Sequence, residues 1–340
     1  MSRIVIALGG NALGSTAEEQ RARIDAATPS LVELIALGHE IVVSHGNGPQ
    51  VGAISLAFDV AADHTENVRR MDLPECTAMS QGYIGYHLQQ CLANELRRVG
   101  MPWHVASVVT QVEVAADDPA FARPTKPIGA FYDWPAASAL MAADPDLVRV
   151  EDSGRGWRRV VASPRPVDIV ERDSILNLLD HEFVVVACGG GGIPVVRDPL
   201  GYLHGVSAVI DKDFASATLA EAIGADILFI LTAVDRVAID FGTPEQRDLE
   251  DLDLETAQRY LDEGHFGVGS MLPKVQAAMA FAASAPGRRA VICSLGKAAS
   301  AMRGESGTVV RGADSASGDA AGRPRSGAHR PGPSVAAVAG

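Results

Sequence analysis

The sequence predicts an α/β fold with three layers, in which helices cover both faces of a central, mainly parallel sheet. Six short β-branched runs are apolar on both faces, as strands in the middle of a parallel sheet are. Helical segments separate these runs, and such alternation is typical of parallel strands joined by right-handed crossovers. The predicted strands are RIVIAL (3–8), EIVVSH (40–45), WHVASVV (103–109), FVVVA (183–187), ILFILTAV (227–234) and RAVICSL (289–295). The predicted helices cover about 17–37, 48–62, 77–99, 167–181, 213–223 and 271–285.

Two segments depart from this alternation. Residues 117–166 are rich in Pro, Asp and Trp, and we interpret them as an insertion that forms a small lid subdomain of the domain 1–312. Residues 313–340 are rich in Ala, Gly, Ser and Pro and have no hydrophobic periodicity, so we expect this tail to be disordered.

Composition and charge exclude several classes of protein. The 340 residues are 47% hydrophobic and 21% charged, which indicates a globular chain with a large core. A net charge of −13 argues against nucleic-acid binding, which depends on neutralising phosphates. The four cysteines lie far apart, so we expect buried free thiols rather than a zinc site or a disulfide framework. With no secretory signal and no apolar run near the ~18 residues of a membrane span, we expect a cytoplasmic protein without a membrane partner.

Glycine-rich turns follow three of the predicted strands, in IALGGNALG, VVSHGNGPQVG and VVVACGGGGIPV. A glycine turn between a strand and a helix lets backbone N–H groups approach an anion. A single such turn is more often a plain tight turn, but three of them at the carboxyl edge of one sheet favour a phosphate site. The candidate residues are Gly9, Gly10, Asn11, Gly46, Asn47, Gly190 and Gly191.

The glycine patterns differ from several common nucleotide motifs. The sequence has no G-x-x-x-x-G-K-[ST] motif, and the kinase motifs H-R-D and D-F-G are also absent. GNGPQVG places its last glycine one residue too far for a dinucleotide fingerprint, which disfavours a dehydrogenase.

Lysine is rare in this chain, with four lysines among 29 basic residues. Most surface positions tolerate arginine, so a retained lysine indicates a position that needs a compact ammonium group. Lys212 and Lys274 fall at predicted helix starts, where the helix dipole disfavours a cation unless a bound phosphate shares the site. The alternative is that Asp211 and Asp213 merely neutralise Lys212 and that Lys274 points to solvent.

The two remaining lysines have different surroundings. Lys126 lies between Pro124 and Pro127 in the insertion, and a rigid segment that carries one cation suits a lid closing over substrate. An exposed loop lysine is the alternative for Lys126. Lys297 follows a predicted strand, and we expect it to be exposed to solvent.

Taken together, seven motifs between about residues 4 and 308 resemble those of carbamate kinases, which have the amino-acid kinase fold. The resemblance implies reversible phosphoryl transfer between ATP and carbamate, giving ADP and carbamoyl phosphate. It also implies Mg²⁺ carried by the nucleotide without direct protein ligands, a homodimer, and operation toward ATP synthesis in arginine or purine-derivative catabolism. Because the carbamate oxygen is already anionic, no dedicated base is expected. The motifs are IALGGNAL, SHGNGPQVG, PTKPIG, CGGGGIPV, AVIDKDFAS, LTAVD and GSMLPKV.

The same resemblance implies a role for each candidate residue. Lys212 would stabilise the phosphoryl group in the transition state, Asp213 would orient the lysines, and Lys126 would grip carbamoyl phosphate. The residues implied to cradle carbamate and the moving phosphoryl group are Gly9, Gly10, Asn11, Gly46 and Asn47, with Gly190 and Gly191 beside them. The residues implied to hold the nucleotide are Lys274, Thr232, Ala233, Val234, Asp235 and Met271.

Two alternatives remain open at this point. The chain could phosphorylate another small carboxylate or carbamate, although the predicted acceptor cradle has no cationic residue for a larger side chain. It could also be a nucleotide-binding sensor without turnover. A missing lysine or a missing Asn11 would indicate the sensor, and all of these residues are present.

Overall fold

The computed structural model describes residues 1–9, 13–14, 16–143, 148–152 and 154–312. The predicted tail 313–340 and the candidate residues Gly10 and Asn11 lie outside the described residues.

Strands and helices alternate through the described chain. The strands are β1 (Arg3–Leu8), β2 (Glu40–His45), β3 (His104–Ser107), β4 (Gln111–Val114), β5 (Lys126–Tyr132), β6 (Arg149–Glu151), β7 (Trp157–Val161), β8 (Pro166–Ile169), β9 (Phe183–Val186), β10 (Ile193–Arg197), β11 (Leu203–Gly205), β12 (Ile227–Thr232), β13 (Val237–Ile239), β14 (Arg247–Leu249), β15 (Asp251–Asp253), β16 (Arg289–Ser294) and β17 (Thr308–Arg311). The helices are α1 (Ala17–Ala36), α2 (Gly48–His64), α3 (Leu73–Arg98), α4 (Trp134–Ala143), α5 (Arg172–Leu179), α6 (Lys212–Ala222), α7 (Leu254–Asp262), α8 (Met271–Ala283) and α9 (Ala298–Met302).

An eight-stranded sheet forms the centre of the fold, in the order β15-β17-β16-β12-β1-β2-β9-β3. It contains all six strands that the sequence predicts. Strand β1 pairs in parallel with both neighbours, so that Ile4 lies opposite Ile227 on one side and Ile41 on the other. The sheet is parallel from β16 to β3, and β17 runs antiparallel to β16.

Both faces of this sheet are covered by helices, because successive side chains of each strand point to opposite faces. Ile4 and Ile6 of β1 pack in a cluster with residues of α1, α3 and α9. Val5 of the same strand packs in a second cluster with residues of α5, α6 and α8. The predicted three-layer sandwich is confirmed.

The sequence prediction is wrong for the starts of two helices. Residues 167–181 were expected to be helical throughout, but β8 occupies the first of them and α5 begins only at Arg172. Strand β8 pairs antiparallel with β4 in a separate sheet of order β11-β10-β4-β8. Long-range pairing with β4 therefore overrides the local helical pattern. Helix α3 also begins before the predicted residue 77, at Leu73, where Pro74 suits the first turn.

Part of the predicted insertion has a sheet of its own, in which β7 pairs antiparallel with β5 and β6. This sheet packs against α2 through two glycines. A Cβ atom on Gly52 would lie 2.6 Å from the Cα atom of Gly129, so the close approach requires a residue without a side chain at Gly52. The insertion therefore lies against the helix that follows the Gly46–Gly48 turn.

Two predictions about the chain as a whole can be compared with the fold. All four cysteines are buried and free, as the sequence predicts. Among the described residues, the helices are too short or too polar to span a membrane.

Candidate active site

Two lysines and one buried carboxylate form the centre of the site. Asp211 caps α6 by accepting a hydrogen bond from the Asp213 backbone N–H at 2.9 Å, which places Lys212 at the first position of the helix. The Lys212 ammonium donates to Oδ1 of Asp213 at 2.5 Å, and the Lys274 ammonium, from the first turn of α8, donates to Oδ2 at 2.8 Å. The N-termini of α6 and α8 thus meet at Asp213.

These three charges are held away from water. Side-chain exposure is 12% for Lys212, 15% for Lys274 and 3% for Asp213. Burial lowers the pKa of Lys212, and the nearby Lys274 lowers it further, although Asp213 acts in the opposite direction. Burial raises the pKa of Asp213, but the two lysines outweigh burial and bring this pKa down to about 2. Asp213 is therefore ionised at neutral pH and anchors both ammonium groups.

Lys126 from the insertion joins the same helix end. Its ammonium donates to Oδ2 of Asp211 at 2.6 Å. The two aspartates beside Lys212 therefore have separate partners, because Asp213 binds Lys212 while Asp211 binds Lys126. Lys274 is turned toward Asp213 rather than to solvent. Three ammonium groups and two carboxylates leave one net positive charge at the start of α6.

The third glycine turn lies beside this group and is held by α3. The side-chain amide of Gln81 donates to the carbonyl oxygens of Thr110 and Gly189, each at 3.0 Å, and its oxygen accepts from the Thr110 N–H at 2.8 Å. The Thr110 hydroxyl accepts from the N–H of Cys188 at 3.0 Å. Gln81 and Thr110 are functional candidates that sequence reasoning missed, because nothing local indicates contacts that span 29 and 108 residues.

The second and third glycine turns meet at Gly190. Its φ angle is +69°, and a Cβ atom there would collide with the side-chain amide of Asn47. That amide donates to the hydroxyl of Ser80 at 2.8 Å. A Cβ atom on Gly191 would meet the carbonyl of Ile210, two residues before Lys212. The structure thus brings Asn47, Gly190 and Gly191 together near the start of α6.

The first two turns leave the sheet at its carboxyl edge. The Gly9 N–H donates to the carbonyl of Leu231, and the Gly46 N–H donates to that of Leu8, each at 3.1 Å. Both residues therefore continue the ladder one step beyond β1 and β2, at the edge where ligands of parallel sheets bind.

Two serines join α6 to β2 near Lys212, and His45 ends β2 beside them. The Ser216 hydroxyl donates to the carbonyl of Lys212 at 2.6 Å and lies 2.6 Å from the Ser44 hydroxyl. His45 donates through Nδ1 to the Gly46 carbonyl at 3.0 Å. Burial lowers the pKa of His45 to about 4, and Lys212 contributes to this lowering. The imidazole is therefore neutral at pH 7 and adds no charge to the site.

The predicted nucleotide residues lie at the same edge on two elements. Thr232 ends β12, where it pairs with Ser294 of β16, and Ala233, Val234 and Asp235 follow directly. Met271 begins α8, three residues before Lys274. Asp235 accepts from the Lys297 ammonium at 2.5 Å, and this hydrogen bond lowers the pKa of Asp235. Lys297 is 47% exposed, as expected, but it is paired rather than isolated in solvent.

Comparison with known proteins reveals close relatives over nearly the whole chain. The profile described as the amino acid kinase family matches residues 2–294. The chain is 52% identical over 308 residues to "Carbamate kinase-like protein YqeA" of Escherichia coli, a match that covers 91% of this chain and 98% of that protein. It is 49% identical over 311 residues to "Carbamate kinase 3" of Staphylococcus aureus, which covers 92% of this chain and 100% of the relative.

A solved structure has the same fold. The carbamate kinase from Giardia lamblia bound to AMP-PNP superposes with a TM-score of 0.83 at 41% identity, covering 92% of this chain and 98% of that one. By sequence and by fold, this chain belongs to the amino acid kinase family and, within that family, to the carbamate kinases.

Proposed function

We propose that this chain catalyses reversible phosphoryl transfer between ATP and carbamate, giving ADP and carbamoyl phosphate. The observation that carries the proposal is the lysine group at the start of α6, where Lys212 and Lys274 share the buried carboxylate of Asp213 and Lys126 approaches from the insertion. Its excess positive charge lies at two helix N-termini beside glycine turns, and each of these features attracts a phosphate. The family to which the chain belongs supports the same reaction.

Each lysine has a separate task in this proposal. In the direction of ATP synthesis, an oxygen of the ADP β-phosphate attacks the phosphorus of carbamoyl phosphate, and the bond from phosphorus to the carbamate oxygen breaks. Lys212 stabilises charge on the transferring group, Lys274 binds the nucleotide phosphates, and Lys126 binds carbamoyl phosphate. Asp213 fixes the positions of Lys212 and Lys274, so catalysis consists mainly of positioning and charge stabilisation. Carbamate leaves as an anion, and no base is needed.

Magnesium enters this scheme as part of the nucleotide substrate. Asp211 and Asp213 already accept hydrogen bonds from lysines, which fits a metal ion that arrives on the phosphates of ADP or ATP. Mg²⁺ that arrives with the nucleotide would neutralise part of the phosphate charge.

The other implied properties belong to the same proposal. We propose that residues 117–166 act as a lid, that Asn11 with Gly9, Gly10, Gly46 and Asn47 cradles carbamate, and that residues 232–235 frame the nucleoside. A homodimer, a cytoplasmic location and operation toward ATP synthesis also remain predictions.

The reaction is tested by supplying purified protein with ADP, Mg²⁺ and carbamoyl phosphate and measuring ATP by a coupled assay. We expect rapid ATP formation, with acetyl phosphate and larger acyl phosphates used at least about 100-fold less efficiently, because a site that binds a substrate amide rejects analogues that lack it. Faster turnover of another acyl phosphate would favour a different small acceptor. Nucleotide binding without ATP formation would favour a sensor.

A further inference from the structure

We propose that Asp211 is a positioning residue that holds Lys126 over the phosphoryl site. This inference rests on the proposed function and concerns the contact between the insertion and the helix that carries Lys212. The two oxygens of the Asp211 carboxylate have different partners. Oδ1 accepts from the backbone N–H of Asp213 at 2.9 Å, and Oδ2 accepts from the ammonium of Lys126 at 2.6 Å. One side chain therefore joins the insertion to the first turn of α6.

The negative charge of Asp211 is not required by the helix. Neutral Asn and Ser side chains cap helices about as well as Asp, so the bond from Asp213 could be made without a charge. A carboxylate next to a phosphate site also repels the phosphate. The carboxylate charge also interacts with Lys212 and Arg165, but the cation that is hydrogen-bonded to it is the ammonium of Lys126.

The backbone of Lys126 is fixed independently of its side chain. Lys126 begins β5 and lies opposite Val161 of β7. The insertion then rejoins the core next to α6, where the Val209 N–H donates to the carbonyl of Ala162 at 3.0 Å. The Arg165 guanidinium lies 3.4 Å from the centre of the Phe214 ring on the same helix. These contacts fix the position of the Lys126 backbone near α6, but they do not determine the direction of its long side chain.

Asp211 sets that direction. A free lysine side chain has many rotamers, and restricting it to one region costs conformational entropy when substrate binds. In this structure the Lys126 side chain is one-third exposed, and it is restrained by the ion pair with Asp211, one residue before Lys212. The ammonium is therefore already directed toward the start of α6 when carbamoyl phosphate arrives. Preorganisation of this kind raises the affinity for carbamoyl phosphate, which Lys126 binds, and leaves the affinity for the nucleotide unchanged.

The test is a mutant cycle of Asp211→Asn, Lys126→Met and the double variant, measured as KM for carbamoyl phosphate, KM for ADP and kcat. Asparagine retains an oxygen for the helix cap and removes only the charge. We expect Asp211→Asn to raise KM for carbamoyl phosphate about 10-fold, equal to about 1.4 kcal/mol, with KM for ADP changed less than about 2-fold. In the Lys126→Met background the same substitution should change KM by less than about 2-fold.

Asp253→Asn is the matched control, because Asp253 is also an aspartate that caps a helix, α7, where it accepts from the Thr256 N–H at 2.8 Å. We expect its kinetics to equal those of the wild type. Asp211→Ser, which also keeps a capping oxygen, repeats the test if the asparagine variant does not fold.

Three results would overturn the inference in distinguishable ways. An unchanged KM for carbamoyl phosphate in Asp211→Asn would show that the ion pair does not position Lys126. An equal loss in the Lys126→Met background would show that Asp211 acts on α6 and Lys212 instead. Absence of ATP formation by the wild-type protein would overturn the proposed function together with this inference, whereas the first two results leave the function standing.

Discussion

Asp213 is the residue whose loss should cost the most stability at the site. Replacing it by asparagine preserves the shape of the side chain but removes the charge that two ammonium groups share. The asparagine oxygen can accept from either Lys212 or Lys274, and its NH₂ group then faces the other ammonium, donor against donor.

The magnitude follows from burial. Removing one member of a buried ion pair costs about 3–5 kcal/mol, because the other charge is left uncompensated. Both lysine side chains here are at most 15% exposed, and they lie within 2.8 Å of the same carboxylate. We therefore expect Asp213→Asn to lower the free energy of unfolding by about 3–5 kcal/mol. Part of this loss is avoided if one lysine gives up its proton.

Urea unfolding followed by circular dichroism measures this loss as a lower midpoint with an unchanged slope. Asp235→Asn provides the contrast, since it also removes a carboxylate from a lysine at 2.5 Å, but there the two side chains are 53% and 47% exposed. We expect that surface pair to contribute about 0–1 kcal/mol. Equal losses in the two variants, or a loss below about 1 kcal/mol in Asp213→Asn, would refute the reasoning from burial.

Further predictions concern pH, backbone conformation and the support of the third glycine turn. Because the pKa of Lys212 is lowered, ATP formation should fall as pH rises, with an inflection below the ordinary lysine value of about 10.4 in a pH–rate profile. The pKa of Asp213 is lowered to about 2, so its ionised form stabilises the folded protein above about pH 4. As the pH falls toward 2, the free energy of unfolding should decrease by about 2 kcal/mol, which acid unfolding measures. Gly190→Ala should lower the free energy of unfolding in urea by about 2–3 kcal/mol and abolish most activity. Gly201 also has a positive φ, +91°, but its surroundings are open, so Gly201→Ala should lower this free energy by only about 1 kcal/mol and leave activity intact. Gln81→Leu should lower the free energy of unfolding, measured by thermal unfolding, by about 2–4 kcal/mol, because the buried carbonyl groups that Gln81 binds lose their partner. The same variant should raise KM for carbamoyl phosphate. An unchanged KM would show that the third glycine turn does not bind this substrate.

The parts of the fold that could be predicted from sequence are those with a strong local pattern. The six runs that form the parallel part of the central sheet are rich in apolar β-branched residues, and their lengths fit strands. Strand β8 cannot be distinguished from the start of a helix by local pattern, because its pairing with β4 spans more than 50 residues. Short strands that are only half buried carry too weak a pattern to be recognised alone.

The candidate site divides in the same way. Lys212, Lys274 and the glycine turns were found because a rare residue type or a special backbone position stands out in the sequence. Gln81 does not stand out, because a glutamine in a helix is ordinary until its distant partners are known, and the sequence indicates Asp211 only as a neighbour of Lys212. Asp211 lies 85 residues from Lys126, so the sequence indicates only the neighbouring Lys212 as its partner.

The most direct test of the proposed role of Lys212 compares ATP formation from ADP and carbamoyl phosphate by the wild-type protein and by Lys212→Arg. Arginine keeps the positive charge but replaces the compact ammonium by a larger planar group, which cannot occupy the 2.5 Å contact with Asp213 in the same way. We expect rapid ATP formation by the wild type and at least about 100-fold slower turnover by the variant, with its circular dichroism spectrum and melting temperature retained. Equal rates in the two proteins would contradict the claim that this position requires a lysine.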